Sequence, residues 1–191
     1  MRPVRSRARA RQAVQVGGLL EDIQRGMNRT VADDVDAHGM AALRGRQNQL
    51  AHAAHAQGVA AVSAMLGIVS PIDPMLVPSC VYTAPEIASV GLTQDEAKAQ
   101  GRDVAIGKAL TTHNARTLIE GLGRGFIKLL FDRQTHVLLG AQLFCGRATD
   151  IVGELALAVQ SGLTAEAMLR SLRARPTFEE AITDAISAAK F

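Results

Sequence analysis

An α+β fold, an antiparallel sheet covered by helices, is the architecture this sequence predicts, and three features carry the prediction. Residues 126–131 and 136–144 read as strands joined by the short turn Asp132-Arg133-Gln134-Thr135, the pattern of a β-hairpin. Residues 150–161 place Ile151, Leu155, Ala158 and Val159 on one helical face and close at Gly162. Around them the order is strand, helix, strands, helices, which suits a layered α+β domain.

Taken in order, residues 49–66 are alanine-rich and free of proline. Leu50, Val59, Val62 and Leu66 recur at helical spacing beside His52 and His55, so a helix is expected. Gly67, Pro71 and Pro74 end it and put a domain boundary near residue 75. Residues 78–83 and 87–90 are short apolar segments on either side of Pro85, expected to form one strand that is interrupted and resumes. Thr93-Gln-Asp-Glu96 has the form of a capping box, in which threonine and glutamate satisfy free N–H groups at a helix start, and that helix should stop at Gly101. Residues 104–112 are the next strand. After the hairpin and the 150–161 helix, Thr164 and Thr177 each begin a further short helix.

Composition narrows the functional classes. The 191 residues are 48% hydrophobic, enough for one well-buried core with a smaller attached piece. The longest small-apolar stretch, residues 58–69, falls short of the roughly 18 to 20 residues that span a bilayer, so no membrane segment is expected. The formal charge of +3 is uneven: residues 1–46 hold nine arginines, five acids and no lysine. With Tyr82 as the first aromatic, nothing in that basic quarter can stack on bases, and nucleic-acid binding is not expected. Cys80 and Cys145 match neither a CxxC pair nor a zinc spacing and read as reduced, buried thiols, consistent with a cytoplasmic protein. His52 and His55 stand i and i+3 on one helix face, but no third ligand is signalled nearby, so no metal site is expected. Gly121-Leu-Gly-Arg-Gly125 lacks the GxGxxG spacing and precedes a strand, so it reads as a strand-entry turn.

Several separate motifs then stand in a fixed order: Pro78-Ser-Cys-Val-Tyr-Thr83, Pro85-Glu-Ile-Ala-Ser-Val-Gly-Leu92, Gly125-Phe-Ile-Lys128, Leu139-Gly-Ala141 and Gly153-Glu-Leu-Ala-Leu157. Together they resemble the C-terminal dimerisation domain of the pyridine nucleotide-disulfide oxidoreductases, with dihydrolipoamide dehydrogenase the nearest type. Upstream, the segment 48–58 resembles the point where the FAD domain of that family resumes. The resemblance places Leu50, Ala51 and His52 beside the flavin ring. It implies three parts: a divergent segment 1–46, a helical remnant of the FAD domain over 47–74, and the dimerisation domain over 75–191. A Gly-Asp pair expected some residues before Leu-Ala-His is replaced by Leu43-Arg-Gly-Arg-Gln47. The bases CGGGGACGT followed by C encode Arg-Gly-Arg, and one position later they read Gly-Asp-Val. Residues 1–46 are therefore expected to be disordered or a frameshifted stretch of a longer gene.

In that family a histidine of a His-Pro-Thr-x-x-Glu segment, paired with the glutamate, takes the proton from a substrate thiol. Here the segment reads Arg175-Pro-Thr-Phe-Glu-Glu180, so Glu180 keeps the partner's place while Arg175 fills the histidine's. A guanidinium, with a pKa above about 12, has no lone pair to accept a proton. Read from the residues alone, Thr177-Phe-Glu-Glu180 is a capping box after Pro176, and Arg175 and Glu180 form an ion pair. The complete enzymes pass electrons from a dithiol through a redox disulfide and FAD to a nicotinamide. That chemistry needs two nucleotide fingerprints and a Cys-x-x-x-x-Cys pair, and the 191 residues contain none of them. The expectation is a dimerisation-domain fragment, inactive alone, binding neither FAD nor NAD by itself and pairing with a second copy or a full-length relative. The alternative is the interface subunit of a split FAD/NAD-dependent dithiol oxidoreductase.

Overall fold

The computed structural model describes residues 50–70, 72–73 and 76–191. The divergent segment 1–46 and the Arg-Gly-Arg motif lie outside the described residues. Contacts divide the chain into two units, between Val77 and Pro78.

In the first unit, helix α1 runs Ala51–Met65, with Leu50 in extended geometry before it and Gly67 at φ +67 after it. Its buried positions are Ala53, Ala56, Ala60 and Ser63, whereas Val62, Met65 and Leu66 are exposed. The expected stripe of Leu50, Val59, Val62 and Leu66 is therefore not the buried one. Small side chains at i, i+3, i+7 and i+10 share a helix face as well as large ones do, and here they are the face that is covered.

The second unit is a five-stranded antiparallel sheet in the order β1-β2-β5-β4-β3. Its strands are β1 (Ser79–Val81), β2 (Glu86–Gly91), β3 (Val104–Leu110), β4 (Phe126–Asp132) and β5 (Leu138–Cys145). The stretch expected to be one interrupted strand is instead a hairpin, because the chain reverses around the cis Ala84–Pro85 bond and Val81 faces Ile87. Thr83 Oγ1 donates to Pro85 O at 2.7 Å inside that turn. The strand expected over 104–112 stops at Leu110, where a 3-10 turn, Thr111–His113, begins. The strand expected from His136 starts at Leu138, since His136 takes φ +58 and leaves the ladder.

Helix α2 (Gln94–Ala99) forms the capping box as expected, with Glu96 N donating to Thr93 Oγ1 at 3.2 Å and Thr93 N to Glu96 Oε2 at 2.8 Å. Helix α3 (Ala115–Ile119) is an element the sequence reading left unassigned. It begins where Asn114 Oδ1 accepts from Thr117 N at 3.0 Å, an N-cap visible in the sequence in hindsight. Three further helices follow: α4 (Ala148–Gln160), α5 (Ala165–Leu169) and α6 (Glu180–Ser187). Thr164 caps α5 as expected.

Cross-strand partners share a face, so Ala88, Leu143, Ile127 and Ala109 line one side together with Val90, Ala141, Leu129 and Gly107. Glu86, on that same side, accepts from Thr149 N at the start of α4 at 2.9 Å. A Cβ placed on Gly107 would lie 2.0 Å from Ala185 O of α6. Both α4 and α6 therefore cover one face, α4 over β2 and β5 and α6 over β3 and β4. Ile151 and Leu155 of α4 and Ile182 and Ile186 of α6 complete the core against Leu129, Phe131 and Leu143.

The contact at Gly107 yields a test. Gly107→Ala should lower stability in urea unfolding by about 1 to 3 kcal/mol, because the added methyl meets backbone that cannot rotate away. Gly123→Ala, with open space around its Cβ position, should change stability by less than about 0.5 kcal/mol.

Candidate functional site

Residues 173–180 cross from the end of α5 to the start of α6, and three contacts fix the crossing. Phe178 is buried and packs against Gly146 at the end of β5, where a Cβ would stand 3.0 Å from its ring and 2.3 Å from Leu122 Cδ1. Asn114 Nδ2 donates to Thr177 O at 2.9 Å, tying the crossing to the 111–125 excursion, which Thr111 N closes at its base on Gly125 O at 2.9 Å. Arg173 is the third anchor. Its side chain is 6% exposed and pairs through Nη2 with Glu154 of α4, while Nη1 donates to Thr183 Oγ1 of α6 at 3.1 Å. Sequence reasoning did not single out Arg173, because an arginine beside Arg170 and Arg175 carries no sign of which one is buried.

Arg175 and Glu180 are brought together, Arg175 Nε standing 2.8 Å from Glu180 Oε2. The arginine is 82% exposed and the glutamate 20%. The other carboxylate oxygen, Oε1, accepts from Thr177 N at 3.1 Å. That is one half of the expected capping box. The other half is absent, since Thr177 Oγ1 donates to Ala174 O at 2.7 Å and helix α6 starts at Glu180 rather than at Thr177. The hydroxyl finds a closer carbonyl within the turn that contains the cis Arg175–Pro176 bond. The carboxylate is thus shared between a guanidinium and a backbone N–H, and Arg175 brings donors but no lone pair that could accept a proton.

The other sequence candidates stand on other elements. Leu50 is half-buried as the residue before α1, and Ala51 and His52 are exposed on its first turn. They belong to the first unit, Arg175 and Glu180 to the second. His55 is exposed one turn after His52, and among the described residues no three His, Cys, Asp or Glu side chains gather as a metal would require. Cys80 and Cys145 are free thiols on the helix-covered face of the sheet. Cys145 is buried as expected, and burial, with Glu86 and Glu179 nearby, pushes its thiol up to about 12. Cys80 is only half-buried, against expectation, because β1 is a three-residue edge strand; burial and Glu86 still raise its thiol. Neither is a low-pKa nucleophile. The Gly121–Gly125 loop enters β4 as expected, Gly125 lying too close to Phe144 O for any side chain.

Anchor and exposed pair should separate in a mutational test. Arg173→Ala should cost about 2 to 3 kcal/mol in chemical unfolding, the figure reduced because Glu154 can partly rehydrate. Arg175→Ala should cost less than about 1 kcal/mol.

The comparisons with known proteins fall on the same region. Residues 77–186 match the family model described as pyridine nucleotide-disulphide oxidoreductase, dimerisation domain. Dihydrolipoyl dehydrogenase of Bacillus subtilis is 42% identical over 142 residues, 74% of this chain and 30% of that protein. The enzyme of that name from Chlorobaculum parvum is 38% identical over 141 residues, 73% of this chain and 30% of that protein. The chain therefore spans about 30% of the length of these relatives. Among solved structures, LpdA from Mycobacterium tuberculosis superposes with TM-score 0.62 at 28% identity, over 81% of this chain and 31% of that one. The HOCl-induced flavoprotein disulfide reductase RclA from Escherichia coli has the same fold, with TM-score 0.62 at 20% identity, over 76% of this chain and 32% of that one. With more than half of its residues matched, over the sheet and the helices that cover it, the chain belongs to the pyridine nucleotide-disulphide oxidoreductases, as the dimerisation domain of a dihydrolipoamide dehydrogenase-like disulfide reductase.

Proposed function

We propose that this chain acts as an association domain without catalysis of its own, pairing with a second copy or with a full-length relative. The observation that carries the reading is the pairing of Glu180 with Arg175 in place of a base. With a guanidinium at position 175 the site can orient and attract, but that position has no lone pair with which to take a proton from a thiol. Exposed apolar residues support the association: Leu110, Leu118 and Ile119 cluster in sequence around α3, and Leu157 and Leu172 stand out from the helical layer. FAD would be held by Leu50, Ala51 and His52 only together with a nucleotide-binding domain on another polypeptide. The free thiols suit a reducing compartment such as the cytoplasm. No helix among the described residues is long and apolar enough to cross a membrane.

A second reading, the interface subunit of a split dithiol oxidoreductase, is favoured by one observation. Arg175 is 82% exposed, so its charge is available to a thiolate or an anionic substrate presented by a partner.

Light scattering and flavin absorbance test the first reading together. The purified chain should run as a dimer at micromolar concentration, and added FAD should leave its spectrum that of free flavin. A monomer that takes up flavin stoichiometrically would overturn it. The second reading is tested by mixing the chain with a polypeptide that supplies the FAD and NAD domains and the redox cysteines. Arg175→His should then raise the rate by about 10² to 10⁴ over the natural chain. Equal and substantial rates would remove position 175 from the chemistry.

A further inference from the structure

Asn114 is buried, and both ends of its amide are used. Oδ1 accepts from Thr117 N at 3.0 Å and from Thr117 Oγ1 at 3.1 Å, capping α3, while Nδ2 donates to Thr177 O at 2.9 Å. These partners fix which way round the amide stands, since two donors meet the oxygen and a carbonyl meets the nitrogen. Thr177 carries the contact on. Its N–H donates to Glu180 Oε1 at 3.1 Å, and Glu180 Oε2 stands 2.8 Å from Arg175 Nε. Thr117, Asn114, Thr177, Glu180 and Arg175 thus form one unbroken series of polar contacts from α3 to the candidate site.

The α3 end of that series lies under an apolar surface. Thr117 is buried, whereas the next two residues, Leu118 and Ile119, are exposed. Leu122 N donates to Thr117 O at 3.0 Å, so the chain is tied back to the same residue as it leaves the helix. Anything that rests on Leu118 and Ile119 therefore rests on the turn that Asn114 holds.

Capping alone does not call for an amide. Aspartate and serine accept from the N–H groups of a helix start about as well as asparagine does, and aspartate also gains from the helix dipole. Neither brings the planar N–H that Asn114 turns to Thr177 O.

We propose that Asn114 is a positioning residue for the Glu180–Arg175 pair, passing the placement of α3, and so of the apolar surface at Leu118 and Ile119, to the carboxylate. This rests on the reading of that surface as part of the association face, and it names the group through which a docked partner reaches Glu180. Without the donor, the Thr177 carbonyl is released and the Thr177 N–H is no longer aimed at Oε1. Glu180 then keeps only the guanidinium of an exposed side chain.

Hydrogen exchange at the Thr177 amide and at the Arg175 Nε–H, followed by NMR on the whole chain, tests this. Asn114→Asp should leave the Thr117 amide as protected as in the natural chain and raise exchange at Thr177 and Arg175 Nε about three- to tenfold, the effect of one ordinary hydrogen bond lost. Asn114→Ser removes the same donor without placing a new charge near Glu180, and should give the same pattern. Asn114→Ala should raise exchange at Thr117 as well, since the cap goes with the donor. A residue that served only as a cap would be replaced by aspartate or serine with no change at Thr177 or Arg175, and that result overturns the proposal. It is overturned too if only Asn114→Asp alters these signals, which would be the effect of its charge, or if Thr117 loosens equally in both capping variants. The signals are read from the chain alone, so a monomer in light scattering would count against the association reading and leave this result as it stands.

Discussion

The approach of α6 to β3 at Gly107 is the contact on which the rest of the second unit depends. With no side chain there, the carbonyl oxygen of Ala185 comes to 2.0 Å from where a Cβ would stand, far inside van der Waals contact, and Ile182 and Ile186 reach the face formed by Leu129 and Phe131. The position of α6 then fixes Glu180 at its first residue and residues 190–191 beyond its last. A shift of the helix away from the sheet would move both together. Burial of that face, not any polar contact, supplies most of the stabilisation, since a fully buried leucine or isoleucine contributes about 1.5 to 3 kcal/mol by transfer from water.

Polar contacts do a different task here: they choose where the chain crosses between helices. Arg173 joins α4 to α6 from a nearly buried position, and Asn114 ties the crossing to the 111–125 excursion. Arg173 Nε has no hydrogen-bond partner among the described residues. A buried donor left unpaired costs about 1 to 3 kcal/mol, so the arrangement is not the most stable filling of that space. Its return is geometric, because a planar guanidinium held by Glu154, Thr183 Oγ1 and Met168 O allows the 173–180 crossing little freedom.

Most of the sheet was legible in the sequence because its signals are local. The β4–β5 hairpin, the capping box at Thr93 and the amphipathic α4 each depend on residues within one short window. The failures share a physical origin in contacts from far along the chain. Nothing within residues 78–90 distinguishes a strand broken at Pro85 from a hairpin; the pairing of Val81 with Ile87 and of β2 with β5 decides it. In α1, alanine spacing competes with valine and leucine spacing, and burial, not pattern, selects the alanines. At the candidate site the Arg175–Glu180 pair was readable from its spacing. The burial of Arg173 was not, since Glu154 and Thr183 lie 19 and 10 residues away.

The exchange of a base for a guanidinium at position 175 separates two things that a histidine would combine. Holding Glu180 in place requires only a donor, and Arg175 supplies one with a permanent charge, as Thr177 N supplies another without charge. Moving a proton as a histidine does requires a lone pair on the group at position 175, and neither Arg175 nor the Thr177 N–H offers one. The geometry around Glu180 is therefore maintained by two donors, a guanidinium and a backbone N–H. The one histidine in the second unit that faces a carboxylate, His136 on Glu166, stands at the other end of the β4–β5 hairpin. Seven residues of β4 at about 3.3 Å each put some 20 Å between the two ends. The His136–Glu166 pair and the arginine-held carboxylate thus occupy opposite ends of one hairpin scaffold.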